Sequence, residues 1–317
     1  MSGKVLVTGG AGFIGSWVVE QLASLGNDVI VLDNLRSGKR ENLKDAFAYG
    51  KVKLVEGDIR DMAVLDKVMP GVDCVYHLAV EALTVGLEDP FLMDDVNSRG
   101  TLNVLYSAHK HNIKRFNYVS SSEVYGNAQT LRMSEKHPTH PYTTYSASKL
   151  NGEEYTIAFH NCYGLNYTII RPFNSYGPRH RTDSYCAVIF RFLERYSKNM
   201  PPVIYGNGRQ SRDFSFVKDT ARGIALAGES KKTLNDVINI GTGKELSVNH
   251  IARAIGTALG KERITPVYES VRPGDVMRHC ADISKARRLL GFKPEYDFET
   301  GIAETISWYS KKHNLNW

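Results

Sequence analysis

The sequence predicts an α/β fold, a doubly wound parallel sheet followed by a smaller mixed α/β unit, and three observations carry that expectation. Short apolar runs alternate with helical stretches through the first half. A glycine-rich turn joins the first run to the first helix. After Asn174 the pattern changes to shorter elements and Gly/Pro-rich loops. The runs are Val5-Leu6-Val7, Asp28 to Leu32, Val52 to Glu56, Cys74 to Leu78, Arg115 to Ser120 and Thr168 to Arg171. Runs of this kind suit strands covered on both faces, and the helices between them supply the crossovers a parallel sheet requires. The 317 residues suffice for one large domain and a smaller partner. The expected division is residues 1–174, with a stretch near 213–242 returning to the sheet, and mainly 175–317.

Composition narrows the class. With 42% hydrophobic and 23% charged residues the chain is an ordinary globular one. The net charge of +6 does not imply a nucleic-acid partner, because Lys and Arg are scattered among acids in runs no longer than two. The milder expectation is a few buried arginines facing a diphosphate. Cys74, Cys162, Cys186 and Cys280 form no CxxC pair, so no metal site and a reducing compartment are expected. Met1 leads straight toward a strand, and no apolar stretch approaches the roughly eighteen residues of a membrane span. A cytoplasmic protein without a membrane partner is the expectation.

Lys4 to Thr8 reads as a strand, and Gly9-Gly-Ala-Gly-Phe-Ile-Gly15 then opens directly into a helix. Glycines at 9, 12 and 15 allow a tight turn, backbone approach to a pyrophosphate and close helix packing, with Phe13 and Ile14 in the same turn. Asp33 closes the second strand 18 residues past Gly15, which completes the Rossmann dinucleotide fingerprint. A carboxylate there accepts from a ribose 2′-hydroxyl and repels a 2′-phosphate, so NAD rather than NADP is expected. Asp58 and Ile59, after the third strand, are placed at the adenine edge. Leu78 and Ala79, after the fourth, are placed beneath the cofactor, with His77 read as a packed core histidine.

Tyr145-Ser-Ala-Ser-Lys149 sets a phenol and an ammonium at i and i+4, on one face of a helix. A nearby cation favours the phenolate, which suits a base. Tyr49/Lys53 and Tyr106/Lys110 repeat the spacing, but only Tyr145 follows, by 24 residues, a strand ending in hydroxyls at Ser120, Ser121 and Ser122.

These motifs, with Asp33-Asn34, His77-Leu-Ala, Ser-Ser-Ser-Glu-Val-Tyr-Gly126, Arg171-Pro-Phe-Asn-Ser-Tyr-Gly-Pro178, Arg212-Asp-Phe and Arg272-Pro-Gly-Asp275, resemble the extended short-chain dehydrogenases that act on nucleotide sugars. The resemblance runs from about Lys4 to about residue 310. It implies an NAD enzyme in which Ser121 and Tyr145 bind the sugar 4-oxygen and Tyr145 takes its proton as hydride leaves C4. Lys149 holds the nicotinamide ribose, while Asn34 and Pro172 belong to the cofactor site. On the substrate side it implies Ser122, Asn174 beside the diphosphate, Val203 and Tyr205 along the base, and Arg212, Arg272 and Asp275 at the phosphates and ribose. Family habit adds a homodimer formed through the helix after Asn97 and the Tyr145 helix. One departure is His77-Leu-Ala-Val-Glu-Ala-Leu-Thr-Val-Gly86, where many relatives read His-Leu-Ala-Ala and a nearby Ser.

After C4 oxidation an epimerase returns hydride to the opposite face and needs no further base. A 4,6-dehydratase must also remove the C5 proton. Glu123 lies two residues after Ser121, on the same side of an extended segment, and is the expected base. In resembling enzymes a Glu here is typical of dehydratases and glucuronate decarboxylases. The first reading is therefore a dehydratase and the alternative a 4-epimerase. A UDP-glucuronate decarboxylase and a non-catalytic NAD-binding regulator follow behind.

Overall fold

The structure, a computed structural model, describes residues 3–182, 187–271 and 276–317. The first half runs β1 (Lys4–Thr8), α1 (Phe13–Ser24), β2 (Asp28–Asp33), α2 (Lys44–Phe47), β3 (Val52–Glu56), α3 (Met62–Val68), β4 (Cys74–His77), α4 (Leu83–Glu88), α5 (Pro90–Asp94), α6 (Thr101–Lys110), β5 (Arg115–Val119), α7 (Thr144–Tyr163) and β6 (Tyr167–Pro172). Then follow β7 (Asn174–Tyr176), α8 (Val188–Ser197), β8 (Val203–Tyr205), β9 (Ser211–Arg212), β10 (Phe214–Phe216), α9 (Val217–Glu229), β11 (Asp236–Ile240), β12 (Leu246–Ser247), α10 (Val248–Ala258), β13 (Val267–Glu269), β14 (Arg278–His279), α11 (Ser284–Leu290) and α12 (Phe298–His313).

Seven strands form one parallel sheet in the order β11-β6-β5-β4-β1-β2-β3. Successive side chains of a strand face opposite ways, and β1 shows the result. Val5 and Val7 pack with Val18, Leu22 and Ile224, whereas Leu6 packs with Val75, Val104 and Phe116 on the other face. The fold is therefore the expected Rossmann-type α/β architecture. Strand order reverses between β1 and β4, and such a switch point opens a crevice at the C-terminal strand ends.

The later chain forms its own core from Phe190, Phe192, Leu193, Ile251, Ile255, Phe298 and Ile302. Its strands join in the small pairings β7 with β10, β8 with β13, and β12-β9-β14. α7 matters most for the site, and its start is set by sequence. Thr143 Oγ1 accepts from Ser146 N at 3.1 Å while Ser146 Oγ accepts from Thr143 N at 2.9 Å, a reciprocal cap that fixes where the helix begins. Among the described residues no helix is long and apolar enough to cross a membrane.

Candidate active site

A cavity of about 530 Å³ opens at the switch point. Gly9, Gly12, Phe13, Ile14, Gly15, Asp33, Asn34, Asp58, Ile59, Leu78, Ala79 and Pro172 line it, and so do Ser121, Ser122, Glu123, Tyr145, Lys149 and Asn174.

The glycine turn is required by space as well as conformation. Gly9 has φ +68°, and a Cβ there would lie 2.6 Å from Ala79 N; a Cβ on Gly15 would lie 2.1 Å from Gly9 O. α1 starts at Phe13 with no side-chain cap, so its N-terminal amides are available to an anion in the cavity. Asp33 accepts Ala11 N and Leu35 N, each at 2.9 Å; burial raises its carboxyl pKa and these two bonds oppose the rise. Asn34 Nδ2 donates to Asp58 at 3.0 Å, joining the two residues expected around the adenosine.

His77 is the packed histidine it was expected to be. It is buried, with Nδ1 2.6 Å from Thr8 Oγ1 and Nε2 2.8 Å from Thr101 Oγ1, and burial pulls its pKa down to about 3. Because Thr101 donates to Asn97 O, Nε2 carries the proton and Nδ1 accepts.

α7 brings Tyr145 and Lys149 to the cavity, while Tyr49 and Tyr106 stand about half exposed elsewhere. Lys149 Nζ donates to Val119 O at 2.7 Å and sits 4.3 Å from the Tyr118 ring centroid. Burial lowers its pKa to about 7, opposed by the Glu153 charge. The expected lowering of the Tyr145 pKa by the lysine is not what the structure gives. Burial raises the phenol to about 12, a hydrogen bond with Ser121 pulls it back, and the Glu123 carboxylate pushes it further up.

The extended segment expected at Ser121–Glu123 is also corrected. β5 ends at Val119, and Ser122–Tyr125 is a turn of 3-10 helix capped by Ser121, whose Oγ accepts from Glu123 N at 3.2 Å. A cap hydroxyl offers its chain a local bond that extended backbone lacks. Glu123 nevertheless reaches the cavity.

The substrate residues expected beyond Asn174 are not gathered there. Val203 and Tyr205 lie on β8 and Arg212 on β9, outside the cavity lining. Arg272 and Asp275 fall outside the described residues. Among the described residues the two buried arginines are engaged away from the cavity. Arg115 is committed to Thr168, Thr233, Ala227 O and Ser230 O, and Arg171 to Glu153.

The lining also includes residues outside the expected site. Glu81 is 8% exposed, 3.2 Å from Arg36, with its main chain held by Asn97 on both sides. The departure at Val80-Glu81 was the signal. Arg179, His180 and Arg181 also line the cavity. Arg179 stacks 3.7 Å over the Trp17 ring and pairs with Glu20 at 2.7 Å.

The cavity fits a dinucleotide. Its turn leaves no room for a Cβ at Gly9 or Gly15, the start of α1 lines it, and two polar atoms in the lining, Ser120 Oγ and Asn174 Nδ2, are buried without a protein partner. Fold, fingerprint and the Ser121/Tyr145/Lys149 set together define a short-chain dehydrogenase of the extended, NAD-dependent type. The GDP-mannose 4,6 dehydratase family model matches residues 6–305. The putative UDP-glucose 4-epimerase of Methanocaldococcus jannaschii is 39% identical over 96% of this chain and 97% of its own. The UDP-N-acetylglucosamine 4-epimerase of Methanobrevibacter ruminantium M1, solved with UDP-N-acetylmuramic acid, superposes with TM-score 0.91 at 37% identity, covering 98% of this chain and 99% of that one. The dTDP-glucose 4,6-dehydratase of Streptomyces venezuelae, solved with NAD, gives TM-score 0.92 at 32% identity over 98% of each chain. The chain belongs to this family of NAD-dependent nucleotide-sugar epimerases and dehydratases, and it is an enzyme with NAD as cofactor.

Proposed function

We propose that this enzyme is a nucleotide-sugar 4,6-dehydratase, and the observation that carries the reading is Glu123 in the same cavity wall as Ser121, Tyr145 and Lys149. Gly9, Gly12, Phe13, Ile14 and Gly15 hold the pyrophosphate, Asp33 and Asn34 the adenosine ribose, Asp58 and Ile59 the adenine edge, and Leu78, Ala79, Pro172 and Lys149 the nicotinamide end. NAD, when bound, supplies the hydride acceptor at C4 and the hydride donor that completes the reaction. Tyr145 removes the proton of the sugar 4-hydroxyl, assisted by Ser121. The C4 ketone acidifies the C5 proton, which Glu123 takes and passes to the departing C6 hydroxyl so that water leaves; hydride then returns to C6 and C5 regains a proton from solvent. Asn174 binds the diphosphate, supported by its unpartnered amide nitrogen in the lining. Val203, Tyr205, Arg212, Arg272 and Asp275 are assigned to the nucleotide end by the family resemblance.

A second reading, a 4-epimerase, is favoured by Ser122. Its Oγ lies 3.4 Å from Nδ1 of His279, whose Nε2 is 2.8 Å from Gly126 O. Burial lowers the His279 pKa to about 4, so the ring is neutral; Nε2 donates to Gly126 O and Nδ1 accepts the Ser122 proton. Ser122 then has no proton to give a leaving oxygen. A second acid beside Glu123 would assist departure of the C6 hydroxyl, and epimerisation needs none.

Incubation with UDP-, dTDP-, GDP- and CDP-sugars followed by mass measurement separates the readings. Loss of water supports the dehydratase. Unchanged mass with inverted C4 installs the epimerase. Glu123→Gln sharpens the result. A dehydratase loses roughly two to four orders of magnitude in turnover. An epimerase stays within a few-fold, with no solvent deuterium at C5. In either case removal of the Glu123 charge lowers the Tyr145 pKa, so the acid limb of whatever activity remains moves to lower pH.

A further inference from the structure

One inward stripe of α7 carries Tyr145, Lys149 and Glu153 at successive helical turns. Glu153 is 2% exposed, and the mechanism does not use it. Arg171 on β6, 6% exposed and 4.7 Å over the Tyr125 ring, holds it bidentately, with Nε donating to Oε1 at 2.9 Å and Nη2 donating to Oε2. The next residue, Pro172, lines the cavity. Close approach along the stripe is enforced at Gly152, where a Cβ would lie 2.1 Å from Tyr118 Oη; that hydroxyl donates to Lys149 O at 3.2 Å.

We propose that Glu153, clamped by Arg171, is a positioning residue that keeps the Lys149 ammonium charged yet directed into the cavity. Two requirements compete at Lys149. A buried ammonium needs a counter-charge, but a carboxylate in direct contact would draw Nζ away from Val119 O and from the cavity. Arg171 resolves the competition by taking both carboxylate oxygens, which leaves Glu153 one turn away, close enough for its charge to act and too occupied to bind Nζ. The other polar groups around Lys149 do not supply that charge. His77 on β4 is neutral, and Tyr118 on β5 contributes a ring face and a protonated phenol. Tyr145 on α7 is protonated at rest, and Ser121 is uncharged. Glu123 stands with Ser121 at the sugar end.

The catalytic consequence rests on the C4-oxidation reading, but the test does not. Lysine labelled with ¹³C at Cε reports the Lys149 titration by NMR in the full chain, assigned with Lys149→Arg. The parent midpoint is expected at about 7. Glu153→Gln is expected to move it down by about one unit, whereas Arg171→Gln frees Glu153 to close on Nζ and moves it up. A purely structural role predicts no shift, or shifts in one direction for both. Should Glu153→Gln not fold, Glu153→Gln/Arg171→Gln, which leaves no unpaired Arg171 charge, carries a downward expectation too, smaller because the Arg171 charge leaves with that of Glu153. An unmoved midpoint in whichever of these folds overturns the proposal. With substrate, the alkaline limb of kcat should follow the midpoint while KM stays within about twofold. A Lys149 midpoint that shifts as expected, without any C4 chemistry on any sugar, would count against the reaction, not against the Glu153 assignment.

Discussion

The two ends of the cavity are built in different ways. At the cofactor end the grip is backbone: Gly9 to Gly15, the start of α1, and Asp33 drawing in Ala11 N and Leu35 N, all within one βαβ unit. At the sugar end the grip is side chains from separate places: the turn after β5, the face of α7, Asn174, and His279 joined to Ser122 across 157 residues. A backbone grip constrains which residues fit, so it marks the sequence locally. A side-chain grip is set by tertiary packing, and it decides the reaction.

The largest expected effect falls at the sugar end. Tyr145→Phe should lower turnover by roughly two to four orders of magnitude, the usual scale for a positioned acid or base, while leaving NAD affinity unchanged in calorimetry. Tyr49→Phe and Tyr106→Phe share the spacing to a lysine but stand 49% and 54% exposed, and should be silent. Equal losses in all three would erase the distinction between a helical Tyr/Lys pair and a catalytic one.

That contrast follows what was legible in the sequence. β1 to β6 and the turn at Gly9 could be read because apolar runs and glycine requirements are local. The geometry of Ser121 to Glu123 could not. A hydroxyl able to cap the next residues turned an expected extension into a 3-10 turn, and nothing in a strand-like run announces that. The ionisation of Tyr145 departs from the sequence expectation for a related reason. The i, i+4 lysine is in place, but Nζ is engaged by Val119 O and the Tyr118 face, so burial dominates the phenol. Glu81 escaped because its role depends on Arg36 and Asn97, which only the fold brings to it.

A middle-sized effect is expected at Asp33. Asp33→Ala should weaken NAD binding about ten- to a hundredfold, the range for hydrogen bonds to a charged group, and relax discrimination against NADP. Part of the loss comes from the turn itself, since Ala11 N and Leu35 N lose their acceptor. Titration of both cofactors separates the two contributions. Equal weakening for NAD and NADP would mean that Asp33 only shapes the turn.

The smallest effect tests whether the cofactor end is also held by charge outside the glycine turn. Asp58 receives Arg60 Nε at 3.0 Å, Arg60 Nη2 at 2.9 Å, Arg60 N at 2.9 Å and Asn34 Nδ2 at 3.0 Å. The Arg60 side chain is the largest cause holding the Asp58 carboxyl down at about 2. A folded-state pKa below the unfolded value of about 3.9 contributes stability that is present at neutral pH and is lost as pH falls from about 4 toward 2. The side chain is 25% exposed, and Arg60 is 36% exposed, so solvent screening limits the contribution to about 1 kcal/mol. Asp58→Asn should therefore lower Tm by a few degrees at pH 7, with a smaller difference at pH 3. NAD affinity should fall less than in Asp33→Ala, because Asn at 58 still accepts from Asn34 and keeps the edge of the cavity in shape. A Tm difference that grows on acidification would reverse the sign of the linkage and remove Asp58 from the charges that support this end.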